Sequence, residues 1–175
     1  MSNTDVVLRH PLLEDATAVF DLVDACKPLD LNSHYLYLLQ CSHFAPTCVV
    51  ATLRGEVVAW VSGYIPPNQA NTFFVWQVAV GEKARGLGLG KRLINWVLAQ
   101  QAGIHKIHTS ITPDNAASWG LFKSLARDWG SDLSSQDWFD EQSHFGGRHH
   151  TEVLVEIALP TTPLATFLQT QGVQQ

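Results

Sequence analysis

A chain of 175 residues, 46% hydrophobic and 15% charged, has the length of one domain and enough apolar side chains for a single sizeable core. Its net charge of −5 leaves no electrostatic footprint for nucleic acid and points to a small-molecule partner. No stretch approaches the roughly twenty apolar residues of a membrane helix. The polar residues 2–5, followed by a short apolar run, do not resemble a signal peptide, so a cytoplasmic protein without membrane contact is expected.

Residues 6–9 read as a short alternating strand, and residues 12–25 as a helix entered at Pro11 with Glu14 and Asp15 in its first turn. Residues 27–33 are loop-like, and Ser33 is placed to cap a second helix over residues 35–41. Strands over 48–53 and 56–64, turning at Arg54-Gly55, form a hairpin. The breakers Pro66-Pro67-Asn68-Gln69-Ala70-Asn71 then precede a long strand over 72–80. After a glycine-rich turn, Leu89, Leu93 and Val97 fall four apart, as do Ile94 and Leu98, which marks an amphipathic helix over about 87–99. A strand over 106–111, a helix over 115–126, an irregular stretch or short helix over 130–147 and a strand over 151–158 follow. A single domain over residues 1–160 is expected, with a polar, frayed tail at 161–175.

The turn between the long strand and the helix is the most informative segment: Arg85-Gly86-Leu87-Gly88-Leu89-Gly90-Lys91. The first N–H groups of a helix have no internal partner and carry the positive end of the peptide dipoles. Glycines at 86, 88 and 90 let phosphate oxygens approach that backbone, and Arg85 adds a fixed cation. A Walker loop is excluded, because Arg85 stands where its first glycine belongs and Lys91 is followed by Arg92. A dinucleotide fingerprint is excluded too, since its third glycine would fall on Lys91.

Arg-x-x-Gly-x-Gly after a hydrophobic strand resembles the acyl-CoA loop of the Gcn5-related N-acetyltransferases, and the element order βααβββαβαβ fits that family. The resemblance implies an α/β (α+β) fold with a central mixed, mostly antiparallel sheet whose splayed strands are flanked by helices. It implies acetyl-CoA as cosubstrate. Backbone groups of Val78, Ala79 and Val80 would meet the pantetheine arm, Arg85, Gly86, Leu87, Gly88, Leu89, Gly90 and Lys91 the pyrophosphate, and Asn115 the cofactor side of the next helix. Asn115 also reads as a plain helix cap, and the two roles are compatible.

Within that family, four segments resemble the diaminobutyrate acetyltransferases of ectoine synthesis. They are residues 26–33 (Cys-Lys-Pro-Leu-Asp-Leu-Asn-Ser) with Tyr35, Pro66-Pro67 after residues 61–64, residues 74–80 (Phe-Val-Trp-Gln-Val-Ala-Val), and the late run from His144 through His149 to Glu152-Val153-Leu154. The match spans residues 26–157. It implies transfer to the γ-amine of L-2,4-diaminobutyrate, under osmotic stress, by a homodimer to whose interface Trp138 and Phe139 would contribute.

The residues suit such a substrate, which carries two amines and a carboxylate. Asp30 and Glu152 are the acids to set against ammonium groups, Asn32, Ser33 and Tyr35 are neutral partners, and Trp76 can wall the pocket with a cation-attracting indole. Each has a plainer reading: Asp30 as a turn residue, Glu152 on an exposed edge, Trp76 as core. An alkylammonium has a pKa of about 10.4, so acyl transfer needs a base. Glu152, acting through water, is the first choice and His144 the second, although His144 also reads as a satisfied loop histidine. The family's usual tyrosine acid falls on Phe122, which has no proton to give, so another group serves or the thiolate leaves unassisted. Acetylation of another small diamine or amino acid, and a non-catalytic acyl-CoA-binding module, are the competing readings.

Cys26, Cys41 and Cys48 fit no metal or redox spacing and read as reduced thiols. The histidines, including His105, His108, His149 and His150, lack zinc-site spacing, so no metal is expected.

Overall fold

A computed structural model describes residues 6–166. The elements are β1 (Val6–Arg9), α1 (Ala16–Ala25), α2 (His34–Gln40), β2 (Val49–Leu53), β3 (Glu56–Tyr64), β4 (Thr72–Val80), α3 (Leu89–Ala99), β5 (Lys106–Ile111), α4 (Ala116–Trp129), β6 (Leu133–Phe139) and β7 (Glu152–Ala158). The seven strands form one sheet in the order β1-β2-β3-β4-β5-β7-β6. Only the β4–β5 pair is parallel; the others are antiparallel. The expected mixed, mostly antiparallel sheet is therefore observed.

Helices cover both faces. On one, α3 and α4 bury Leu89, Leu93, Ile94, Val97, Phe122 and Leu125 against β2, β3 and β4. On the other, Ala16, Val19 and Val23 of α1 and Tyr37 of α2 close over Val50, Trp60 and Ala79. The four-residue spacing read from α3 is the stripe that reaches the core. Leu93 is fully buried there, so Leu93→Ala is expected to destabilise the fold by about 3 kcal/mol. Urea unfolding measures this, and a loss below about 1 kcal/mol would contradict the packing described.

The largest differences from the sequence expectation are three element ends, each with a local reason, and one strand. α1 starts only at Ala16 after a 3-10 turn, with Asp15 held by Arg9 at 2.6 and 2.9 Å and by the Leu12 N–H at 2.7 Å. α3 starts at Leu89 rather than near residue 87, since Gly86 (φ 80°) and Gly88 (φ 66°) are left-handed. α4 runs on to Trp129, whose indole N–H donates to Asn95 Oδ1 at 3.0 Å, and ends at Gly130. β6 lies inside the stretch expected to be irregular. Nearly all its side chains are exposed, so it carries no hydrophobic alternation, and backbone pairing with β7 is what makes it a strand.

The three cysteines are free and buried. Desolvation pushes the Cys41 and Cys48 thiols up to about 12, which keeps them inert. Leu164, within the stretch expected to be a tail, packs on the core; residues beyond 166 lie outside the described part.

Candidate active site

Two irregularities in β4 create the site. β4 pairs with β5 only from Thr72 to Val75, while its partnership with β3 continues to Val80. β5 meanwhile continues to Ile111 against β7. Beyond Val75 the two parallel strands therefore part. The second irregularity is a bulge: Val75 pairs with Gly63 and Gln77 with Ser62, which leaves Trp76 as the extra residue. One extra residue flips the side chains that follow. Phe73 and Val75 accordingly face the α3/α4 core, whereas Ala79 faces the α1/α2 core.

The gap between the strands is a cleft of about 600 Å³ lined by Trp76, Gln77 and Val78 of β4, Ser110 of β5 and Glu152 of β7, among others. A second cleft of about 270 Å³ adjoins it, and Val78 and Ser118 line both. Val80, Arg85, Gly86, Gly88, Leu89 and Gly90 line the second cleft, so most of the predicted anion loop is brought to one place. A Cβ on Gly86 or Gly88 would meet nothing within 4 Å; these glycines serve the left-handed turn and leave open space above it. Gly90 has a different reason, since a Cβ there would stand 3.2 Å from Leu121 of α4. The exposed N–H groups, the open approach and Arg85 suit a pyrophosphate.

Three of the predicted cofactor-side residues turn their side chains elsewhere. Leu87 packs on the core. Lys91 spans to α4, 2.6 Å from Asp128 and 3.1 Å from Ser124. The Ala79 side chain is buried on the far face. Asn115 caps α4, its Oδ1 accepting the Ser118 N–H at 3.1 Å, and it also lines the larger cleft.

One end of the larger cleft is closed by two loops. Asp30, on the loop between α1 and α2, places Oδ2 2.9 Å from His149 Nε2, on the loop between β6 and β7. His149 Nδ1 stands 2.7 Å from the His150 carbonyl. A carbonyl only accepts, so Nδ1 carries a hydrogen, and Nε2 then faces Asp30 and, at 3.8 Å, Glu152 Oε1. The bond to the His150 carbonyl and both carboxylates raise the His149 pKa against the effect of burial. The carbonyl and the two acids favour the protonated form of the ring.

Glu152 opens β7 from an inward position with its side chain 18% exposed. Desolvation lifts its pKa above the usual carboxylate range, while Ser110 and His149 pull it back. Its Oε2 is buried without a hydrogen-bond partner among the described residues. An unpaired buried acceptor facing a cleft suits a donor brought by a ligand.

His144 is not brought to the cleft. It is exposed, and its Nδ1 accepts the Asp140 N–H at 2.7 Å inside the β6–β7 loop; His149, five residues later, occupies the place expected for it. The His-x-x-Glu spacing from His149 to Glu152 was the signal available in the sequence. Ser33 spends its hydroxyl as the α2 cap, accepting the Leu36 N–H at 3.2 Å, and Tyr35 is exposed; neither lines the cleft. Asn32 and Trp76 do. Trp76 is 43% exposed with its ring edge-on to Tyr64, so it walls the cleft rather than filling the core. Phe122 is buried against both the core and the cleft. Among the described residues no group of His, Cys, Asp and Glu is arranged to hold a metal ion, and no helix is long and apolar enough to cross a membrane.

A family model described as "Acetyltransferase (GNAT) family" matches residues 16–126. The chain belongs to this family. L-2,4-diaminobutyric acid acetyltransferase of Chromohalobacter salexigens is 49% identical over 153 residues, covering 86% of this chain and 79% of the relative. The enzyme of the same description from Halomonas elongata is 48% identical over the same shares. Diaminobutyrate acetyltransferase EctA from Paenibacillus lautus, solved in complex with L-2,4-diaminobutyric acid and coenzyme A, superposes with a TM-score of 0.83 at 32% identity, over 91% of this chain and 95% of that one.

Proposed function

We propose that this GNAT chain transfers the acetyl group of acetyl-CoA to the γ-amine of L-2,4-diaminobutyrate, giving the N4-acetyl product and CoA. The observation that carries this reading is the pairing of Asp30 and Glu152 across His149, at the end of a cleft that adjoins the anion loop. The similarity to the diaminobutyrate acetyltransferases supports it.

Acetyl-CoA supplies an activated acyl group on a good leaving group. The chain supplies placement and proton traffic. His149 engages one oxygen of Asp30, so the carboxylate can still hold the α-ammonium. Glu152 receives the γ-ammonium proton, directly or through one water, and its raised pKa brings it nearer to that task than an ordinary carboxylate. Thiols titrate near about 8.5, so the departing thiolate does not demand a strong acid, consistent with the apolar Phe122 at that position. The same reading puts the enzyme in the cytoplasm, in ectoine synthesis under osmotic stress. It also pairs two copies through the β6 edge, where Trp138 and Phe139 stack at 4.0 Å and stay partly exposed.

Thiol release tests the reading with diaminobutyrate, ornithine, lysine and putrescine side by side. Diaminobutyrate is expected to give the highest kcat/KM by at least about tenfold, the value of one or two lost charged hydrogen bonds. Equal turnover of putrescine would defeat the assignment of an acid to the α-ammonium. Acetyl-CoA binding with no amine-dependent thiol release would defeat the enzymatic reading itself.

A further inference from the structure

Gln77 lies at the centre of β4, between the cleft wall Trp76 and the cofactor-side Val78, and is only 6% exposed. A polar side chain in mid-strand needs its hydrogen bonds satisfied, and both of its amide groups are engaged toward the acceptor loop. Its Nε2 donates to the Asp30 carbonyl at 2.7 Å, and its Oε1 accepts from the Tyr37 hydroxyl at 3.1 Å. The Tyr37 oxygen in turn accepts the Asn32 N–H at 3.4 Å. The directions of these bonds are forced. The Asp30 carbonyl can only accept, so the amide NH2 must face it, which leaves Oε1 toward Tyr37. The Tyr37 proton then points to Gln77, and its lone pairs are left for Asn32.

This chain of bonds grips the acceptor loop on both sides of Leu31, by the carbonyl of Asp30 and the amide of Asn32. The Asp30 side chain itself is 76% exposed, with His149 as its contact. A surface ion pair of this kind is weak at holding a loop. The buried backbone grip is the stronger constraint, and the bulge at Trp76 sets it up by turning Gln77 toward the α1/α2 face, where Tyr37 stands.

We infer that Gln77, through Tyr37, is a positioning residue for acceptor selectivity. It ties the loop carrying Asp30 to the strand beside the acetyl donor, and so sets the distance between the α-ammonium site and the reacting amine. The inference rests on the proposed diaminobutyrate reaction for its kinetic signature, though not for the hydrogen-bond grip itself.

Three variants test it: Gln77→Met, Gln77→Glu and Tyr37→Phe, the last keeping the buried ring. The acceptors are diaminobutyrate and 4-aminobutyrate, which has the same terminal amine and carboxylate but no α-ammonium. In Gln77→Met and Tyr37→Phe, kcat/KM for diaminobutyrate should fall about tenfold or more, mostly through KM. The value for 4-aminobutyrate and the Kd for CoA should stay within about twofold, because neither uses Asp30. Gln77→Glu should be impaired most at high pH and recover as pH falls, since only the protonated carboxyl can donate to the Asp30 carbonyl. Hydrogen exchange at the Asn32 amide should accelerate at least about tenfold in Tyr37→Phe. Equal losses with both acceptors, a flat pH response in Gln77→Glu, or unchanged Asn32 exchange would overturn the inference. If the wild-type protein fails to turn over diaminobutyrate, the proposed function falls, and the Asn32 exchange still decides whether the grip exists.

Discussion

Replacing Glu152 by Gln is expected to lower kcat on the order of 10³-fold, the scale of removing a positioned base, with little change in Kd for CoA. The amide keeps the shape of the side chain, and Oε2 has no partner to lose among the described residues, so thermal stability should not fall. The pH profile carries the sharper signature. Glu152 is needed as a carboxylate and its pKa is raised by burial, so wild-type activity should fall as pH drops through that raised value, nearer neutrality than for an ordinary carboxylate. His149 is needed as an imidazolium and its pKa is also raised, so its hold on Asp30 persists above the usual histidine range and is lost as pH rises further. In Glu152→Gln the acid limb should lose the Glu152 contribution and keep only the titration of the amine. Turnover within threefold of wild type across pH 6 to 9 would remove Glu152 from the proton path.

Asp30→Ala is expected to raise KM for diaminobutyrate about 50-fold while leaving kcat nearly unchanged. One charged hydrogen bond is worth about 1.5 to 3 kcal/mol, which corresponds to roughly that factor. The binding of 4-aminobutyrate should hardly change. Because the Asp30 side chain is 76% exposed, its attraction for an ammonium is open to screening. Raising ionic strength from about 0.05 to 1 M should weaken diaminobutyrate binding in the wild type and much less in the variant. Stability should move by less than about 0.5 kcal/mol, as for other exposed positions. An equal loss with both acceptors would mean that Asp30 supports the loop rather than the substrate.

The sheet strands with apolar alternation, the amphipathic α3 and the glycine loop were legible because each depends on neighbours in sequence. A left-handed turn at Gly86 and Gly88 is a local property, and the four-residue stripe of α3 is local periodicity. β6 was not legible, since its polar residues are a strand only by virtue of β7 beside them. The acids Asp30 and Glu152 and the wall Trp76 could be chosen from residue type and resemblance. Their histidine was misplaced: His144 was chosen and the His-x-x-Glu spacing of His149 passed over, whereas the fold of the β6–β7 loop turns His149 to the acids while His144 closes its own turn.

By itself the sequence determined the anion site: glycines and an arginine at a helix start, beside an apolar strand, specify it through backbone geometry that spans only a few residues, and the family resemblance named acetyl-CoA as its occupant. The tertiary structure decided the acceptor end. Asp30, Gln77 and the His149–Glu152 pair come from three separate segments, and the hydrogen bonds and charge pairs that join them act over a few ångströms. Such short-range forces become specific only after the bulge at Trp76 and the parting of β4 from β5 have brought those segments together.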